Sequence, residues 1–441
     1  MFHCSYCDAQ SIKWAGRCSQ CGKWGTLIDE DKKNTEPILK NQKNQASPVT
    51  SQNLSAIEKQ IKIQRQKTGQ SEIDRVLGGG LVTGSLTLLS GEPGIGKSTL
   101  VASIAGAIAQ EKKNILYISG EESAQQLNDR FFRLNIPLKN INFLAPYPIE
   151  NLIASIEKEK PNLVIIDSVQ TLNSSDLDSP AGSPHMVRYA TNLLLDLAKR
   201  TNTTILLIGQ VTKDGNVAGP KMLEHLVDVV LSIEGDPQHL YRLLHAQKNR
   251  FGSTDEVGVF TMTEKGMQAV ENPSAHFLEE RVDVPGSVIT ALTEGSRIFL
   301  VEIQALVETT HYGTPIRRAS GFDQNRLQML TAILSKHAGL KLSERDIYIN
   351  VIGGLNIKDP SADLAVCQAI ISAEKNIIQK PPTLILGEVG LGGEIRSIPF
   401  LEKRLIEAER FGLTQAITPK TKNKNLKKIK LREIKTVKDL I

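Results

Sequence analysis

The segment Gly91-Glu-Pro-Gly94-Ile-Gly96-Lys97-Ser98-Thr99 constrains this chain more than any other. It fits Gly-x-x-x-x-Gly-Lys-[Ser/Thr], follows the apolar run Leu86 to Leu89 and opens into Leu-Val-Ala-Ser-Ile-Ala-Gly-Ala-Ile-Ala-Gln, a good helix former. In that strand, loop and helix context the backbone N–H groups and the positive helix end cradle phosphates, Lys97 reaches the terminal ones and the Ser98 hydroxyl ligates Mg²⁺. A mere glycine-rich turn does not explain Lys97 and Ser98 together. Gly91, Glu92, Pro93, Gly94, Ile95, Gly96, Lys97, Ser98 and Thr99 are therefore expected to hold ATP. Around this motif, from Thr68 to about Asn272, short β-branched runs alternate with helix-like segments: Ile115 to Ser119, Leu163 to Ile166, Thr204 to Ile208 and Val229 to Ile233. Such alternation predicts an α/β core with a mostly parallel sheet and helices on both faces.

Parallel strands deliver their carboxyl ends to one edge, where ligands of α/β sheets bind. Leu163-Val-Ile-Ile166-Asp167 ends there in an acid, the form of a Walker B element, with Asp167 in the Mg²⁺ shell; the alternative is a helix cap. Hydrolysis also needs a group that orients or deprotonates water, and Glu121 and Glu122 follow the strand Ile115 to Ser119. Glu121 is preferred, although both acids would also suit the start of the next helix. Gln210, at the tip of the strand that begins at Thr204, either senses the γ-phosphate through its amide or is an ordinary polar loop residue.

Other features lie toward the two ends. Cys4-Ser-Tyr-Cys7 and Cys18-Ser-Gln-Cys21 form two Cys-x-x-Cys knuckles ten residues apart, a tetrahedral sulfur cage suited to Zn²⁺ within residues 1–30. Redox pairs occur singly at strand-to-helix junctions, whereas these are doubled in a stretch rich in Trp and Gly. Lys13, Trp14, Arg17, Lys23 and Trp24 suit nucleic acid or protein equally well. Residues 31–66 are rich in Lys, Gln and Asn, the composition of a flexible linker. Residues 67–272 hold the nucleotide motifs, and after Pro273 a different rhythm, RIFLVEIQALVE, IYINVIGG and PTLILGEVG with helices near Asp363 and Leu401, predicts a separate α+β domain over 273–441. No apolar stretch approaches ~18 residues, so a membrane location is not expected and a cytoplasmic one is. The net charge of +5 permits an anionic partner without demanding one. Cys367 stands in an apolar stretch and reads as a buried side chain.

Taken together, the knuckles, the approach Thr68 to Ser85, the SGEES strand end, LVIIDSVQT and Lys248-Asn-Arg250-Phe-Gly252 resemble the bacterial RadA (Sms) family of DNA repair proteins over essentially the whole chain. The resemblance implies a RecA-like P-loop ATPase core between a small zinc ribbon and a C-terminal α+β domain similar to Lon protease. It implies a DNA-dependent ATPase that works in recombinational repair with the RecA recombinase, on single-stranded and branched DNA, as a ring-shaped homo-oligomer of hexameric size. Lys248 and Arg250 match the cationic positions that approach a neighbouring subunit's nucleotide, with contact to DNA phosphate as the alternative. Lys213 and Lys221, in a Gly- and Lys-rich stretch, match channel loops that hold single-stranded DNA; an ordinary surface loop remains the other reading.

The stretch Lys358 to Asp363 resembles the serine-bearing segment of Lon proteases, with Ser361 at the matching position. Alignment of the helix beginning at Leu401 puts Glu402 where Lon's lysine stands, so the Ser-Lys dyad reads as broken, Ser361 as a helix N-cap and the domain as an assembly and DNA-binding platform. Three functions follow: a DNA motor, which is favoured, an ATP-dependent peptidase, or a nucleotide-switched DNA scaffold that does not translocate. The zinc assignment has its own check. Cys18→Ser should release the metal and unfold the ribbon alone; metal analysis that still finds one zinc per chain would contradict the four-thiolate site.

Overall fold

The computed structural model describes residues 2–29, 64–210, 220–235, 241–311, 313–353, 355–421, 426 and 428–441. These divide into two compact units: Met1–Glu234 with Leu244–Thr254 and Met262–Gln268, and Gly235–Leu243 with Asp255–Thr261 and Ala269–Ile441. The division interleaves where the sequence places one cut at 272/273. Its reason is packing: Tyr241, Val259 and Val270 share a core with Phe277 and Phe299, and the Tyr241 and Phe277 rings meet edge to face at 4.5 Å.

In the first unit, five of the expected strands lie parallel to one another. Val229–Glu234, Leu86–Gly91, Thr204–Gln210, Leu163–Asp167 and Ile115–Ser119 are neighbours in that order, and Ile141–Leu144 adds a sixth parallel strand at the edge. Tyr241–Asn249, Val257–Thr263 and Gly266–Ala269 extend the same sheet on the other side. The central strands are buried along nearly their whole length, as continuous Val, Ile and Leu runs covered by helices on both faces require. One core layer sets Leu86, Leu88, Val164, Ile166, Ile205 and Leu207 against Leu194 and Leu197 of the helix Pro184–Thr201.

Most of the linker, residues 31–63, lies outside the described residues, but its last residues are structured. Arg65–Gln66 pairs antiparallel with Leu81–Val82, and the Arg65 guanidinium donates to the Leu77 and Phe251 carbonyls at 2.9 and 2.7 Å. The expected end of the linker at 66 is thus corrected: an arginine that satisfies carbonyls of the ordered body cannot belong to a free tether.

The ribbon is a three-stranded antiparallel sheet of Gln10–Ser11, Phe2–Cys4 and Leu27–Asp29. Among its described residues the buried apolar set is Cys4, Cys18 and Leu27, too little to fold without a metal.

The second unit is a seven-stranded mixed sheet in the order Arg317–Ser320, Arg345–Val351, Arg297–Thr309, Ser287–Glu294, Thr383–Ile385, Gln415–Thr418, Lys430–Glu433. Helices Gln324–His337, Asp363–Lys375 and Leu401–Phe411 accompany it. Here the Lon comparison needs correction. The side chain that meets Ser361 is Arg404 rather than Glu402, because the buried face of the helix carries Arg404, Leu405 and Ala408. The Arg404 guanidinium, 1% exposed, donates to Ser361 Oγ at 2.7 Å, to the Asp359 carboxylate and to the Ala291 carbonyl. Ser361 is not a cap either: Asp359 caps the short 3-10 turn by accepting the Ser361 N–H at 2.9 Å, and Ser361 is fully buried.

The cluster predicts a stability cost. Arg404→Ala should destabilise this unit by about 2–4 kcal/mol, because it removes a buried guanidinium and leaves the partly buried Asp359 carboxylate and the Ser361 hydroxyl without their partner, and Arg404→Lys should recover only part, since an ammonium cannot serve the three acceptors in one planar fork. Denaturant unfolding checks both, and wild-type stability in Arg404→Ala would remove the cluster from the core's support.

Candidate active site

Register assembles the site. In the parallel sheet Gln210 stands opposite Gly91, while Ile208 and Ser119 stand opposite Asp167, so four strand tips end at one edge. The P-loop closes over that edge with Gly96 at φ +112°, a left-handed conformation at the start of helix Lys97–Gln110. A Cβ there would be strained and would also lie 2.6 Å from the Met267 methyl. Lys97 is buried and donates to the Gly91 and Glu92 carbonyls at 2.9 Å each, which leaves its third proton for a phosphate oxygen. Burial lowers its pKa, against the opposing charges of Glu121 and Asp167.

Asp167 is buried at 2% exposure. Tyr117 donates its hydroxyl to one carboxylate oxygen at 3.2 Å, while the other, Oδ1, is buried with no hydrogen-bond partner among the described residues. Burial and the nearby charge of Glu121 raise the Asp167 pKa, with the Ser98 and Tyr117 hydroxyls pulling it back. An orphaned carboxylate oxygen and the adjacent Ser98 hydroxyl are hard oxygen ligands, and they fit Mg²⁺ with its remaining sites on water and phosphate.

The two adjacent acids part company. Glu121 is exposed and accepts from the Gln210 amide at 2.8 Å. Glu122 turns away: its carboxylate pairs with Arg130 and its N–H donates to Ser119 Oγ at 3.0 Å. The chain thus brings Lys97, Ser98, Glu121, Asp167 and Gln210 to one edge, the set needed to bind a nucleoside triphosphate and steer a water at its terminal phosphorus.

Lys248 and Arg250 lie elsewhere. Lys248 Nζ donates to the Glu224 carbonyl at 2.6 Å, and burial together with the Arg250 charge lowers its pKa. Arg250 reaches Asp228 Oδ1 at 3.2 Å, and its own N–H donates to the Asp228 carbonyl. Asp228 in turn accepts the Leu86 N–H at 3.2 Å, at the amino end of the P-loop strand. Five residue steps along the strand separate Leu86 from Gly91, roughly 16 Å at ~3.3 Å per residue. The two cations therefore stand at the opposite edge of the sheet from the phosphate loop of their own chain. Arg250 stays about half exposed, whereas Asp228 is buried.

Lys213 lies outside the described residues. Lys221 falls in the helix Pro220–Leu223, but its side chain is likewise outside them. Sequence reading missed Tyr117 and Asp228. Tyr117 looks like one more apolar strand residue, and the bond from Asp228 to Leu86 joins positions 142 apart, a pairing with no local signal.

In the ribbon, Sγ of Cys4 and Cys21 are 3.7 Å apart, as are those of Cys7 and Cys18, and all four lie within 4.8 Å of one another. A tetrahedron with bonds of ~2.3 Å has sulfur edges of about 3.8 Å, so the cage fits Zn²⁺. Among the described residues no helix is long and apolar enough to cross a membrane.

Comparison with known proteins gives the same three parts. Residues 2–29 match the rubredoxin metal binding domain, residues 52–216 the AAA domain, and residues 330–439 the Lon protease (S16) C-terminal proteolytic domain. The chain is 44% identical to the DNA repair protein RadA of Aquifex aeolicus, over 95% of this chain and 93% of that protein. It is 43% identical to RadA of Pseudomonas aeruginosa, over 95% and 92% of the two chains, and 41% identical to RadA of Bacillus subtilis, again over 95% and 92%.

The Asp167 environment predicts a pH effect. Its pKa is raised, so the carboxylate that would hold Mg²⁺ is protonated, as pH falls, earlier than an ordinary Asp. Tyr117→Phe removes a hydrogen bond that favours the ionised form, so the acid limb of nucleotide hydrolysis should move to higher pH while the alkaline limb stays. A pH profile of kcat/KM measures this, and an unmoved acid limb would detach Tyr117 from the site.

Proposed function

This chain belongs to the RadA family of DNA repair proteins, and from that premise we propose that it is a DNA-dependent ATPase, a hexameric ring on single-stranded DNA. In this reading it drives branch migration of RecA strand-exchange intermediates in the cytoplasm. A DNA repair ATPase follows from the family and the AAA domain. The motor is the finer reading, and one observation carries it: Lys248 and Arg250 stand at the sheet edge away from their own phosphate loop, with Arg250 still half exposed. Cations so placed serve a nucleotide only when it belongs to a neighbour.

In this mechanism the amides of the loop and Lys97 hold the β- and γ-phosphates. Mg²⁺, held by Ser98 and Asp167, would neutralise charge building on those oxygens. Glu121, oriented by the Gln210 amide, accepts a proton from water as the water oxygen bonds to the γ-phosphorus and the bond to the β-phosphate oxygen breaks, leaving ADP and phosphate. Gln210 is followed directly by the stretch that holds Lys213 and Lys221. DNA held there acts on the residue that orients Glu121, which is how DNA would stimulate hydrolysis. The neighbour's Lys248 and Arg250 stabilise the charge of the transition state in trans. Peptidase activity is not part of this reading, because the Arg404 guanidinium at Ser361 does not deprotonate and cannot serve as a general base.

A mixing experiment tests the proposal. Single-stranded DNA should stimulate hydrolysis by the zinc-loaded protein, and Lys97→Ala should abolish hydrolysis while leaving assembly intact. Arg250→Ala should lower the rate by on the order of 10³. Mixing the two variants should restore part of it, since each supplies what the other lacks. If no ratio restores hydrolysis, the trans role falls; a rate indifferent to DNA would turn the reading toward a nucleotide-switched scaffold.

A further inference from the structure

The ribbon carries a surface that the ATPase mechanism does not use. The chain has two tryptophans, Trp14 and Trp24, and both lie on the ribbon, 64% and 76% exposed. Each directly follows a lysine, in the repeated dipeptides Lys13-Trp14 and Lys23-Trp24. The segment Gly16–Arg17 pairs with Trp24–Gly25: Arg17 and Trp24 form an antiparallel bridge, and the Gly25 N–H donates to the Gly16 carbonyl at 2.8 Å. The Trp24 ring lies against Gly16, where a Cβ would come 3.5 Å from it, two residues along the chain from Trp14. Lys23 Nζ sits 3.4 Å from the centre of the Tyr6 ring, and no Asp or Glu occurs from Ala9 to Ile28.

Exposing two indoles costs several kcal/mol of unrealised burial, at about 25 cal/mol per Å² of apolar surface, and the ribbon's small core does not require it. Exposed aromatic rings and lysine cations in one short stretch free of Asp and Glu match the chemistry of a single strand, one base and one phosphate per nucleotide. An acidic protein surface would be met by the lysines alone. We propose that the ribbon, through its exposed Trp14 and Trp24, binds single-stranded nucleic acid separately from the ATPase channel, with bases stacked on the indoles and Lys13 and Lys23 meeting phosphates.

Because both tryptophans lie in this module, intrinsic tryptophan fluorescence of the full-length, zinc-loaded protein reads the ribbon alone. Titration with oligodeoxythymidine, without nucleotide, should quench it saturably, with a midpoint that rises with salt. Irradiation of a 5-bromodeoxyuridine oligonucleotide should crosslink to Trp14 or Trp24. Trp14→Ala/Trp24→Ala, with zinc content unchanged, should weaken oligonucleotide binding at least about fivefold, the loss expected for one stacked base. If that variant loses zinc, Lys13→Gln/Lys23→Gln decides the matter through a shallower salt dependence of the quench. Unquenched fluorescence at oligonucleotide concentrations that saturate ATPase stimulation, or crosslinks confined to residues beyond 29, would overturn the proposal. So would quenching by a protein partner but not by DNA.

Discussion

The parallel alignment of Leu86–Gly91 with Thr204–Gln210, and of Thr204–Gln210 with Leu163–Asp167, is the constraint on which the rest depends. The candidate site residues Asp167 and Gln210 sit at strand tips, and hydrogen-bond register decides whether the tips coincide. A slip of one residue would turn each strand's side chains to the opposite face and send Asp167 and Gln210 away from the loop. The buried Val, Ile and Leu runs that hold this register therefore act on the chemistry, although none of them touches a phosphate.

At the opposite edge Asp228 performs the complementary task. One carboxylate fastens the first residue of the P-loop strand with one oxygen and Arg250 with the other. The strand that begins beneath Arg250 ends in the chain's own phosphate loop. Asp228 is buried and holds both partners through one carboxylate.

What was legible in the sequence was local. The P-loop, the acid that ends Leu163–Asp167 and the paired knuckles each declare themselves within about ten residues, because phosphate, magnesium and zinc impose ligand types at short spacing. Five strands of the core were legible because parallel strands buried on both faces read as unbroken apolar runs. Contacts that depend on tertiary structure were not. Aligning by pattern sets Glu402 at the lysine position, and only the packing of Leu401–Phe411 shows that the side chain turned inward to Ser361 is that of Arg404. The helix Gln324–His337 and the strand Ser287–Glu294 went unread, and Arg65 looked like tether until its carbonyl partners at Leu77 and Phe251 were placed. The preference for Glu121 over Glu122 has no local signal behind it, and in space the two differ in partner, Gln210 for Glu121 and Arg130 for Glu122.

Arg404 also decides how the C-terminal unit responds to its surroundings. A serine paired with lysine carries a group that titrates, and burial moves that titration toward neutrality. Arginine keeps its proton at any physiological pH, and its charge holds Asp359 below the usual carboxylate range despite burial, which alone would raise it. The ion pair at the heart of this unit is therefore fully charged across the neutral range, with no proton to gain or lose. This pair is indifferent to changes in acidity across the neutral range that would loosen a lysine-based centre, in contrast to the nucleotide edge, where Asp167 and Lys97 are displaced toward each other in pKa.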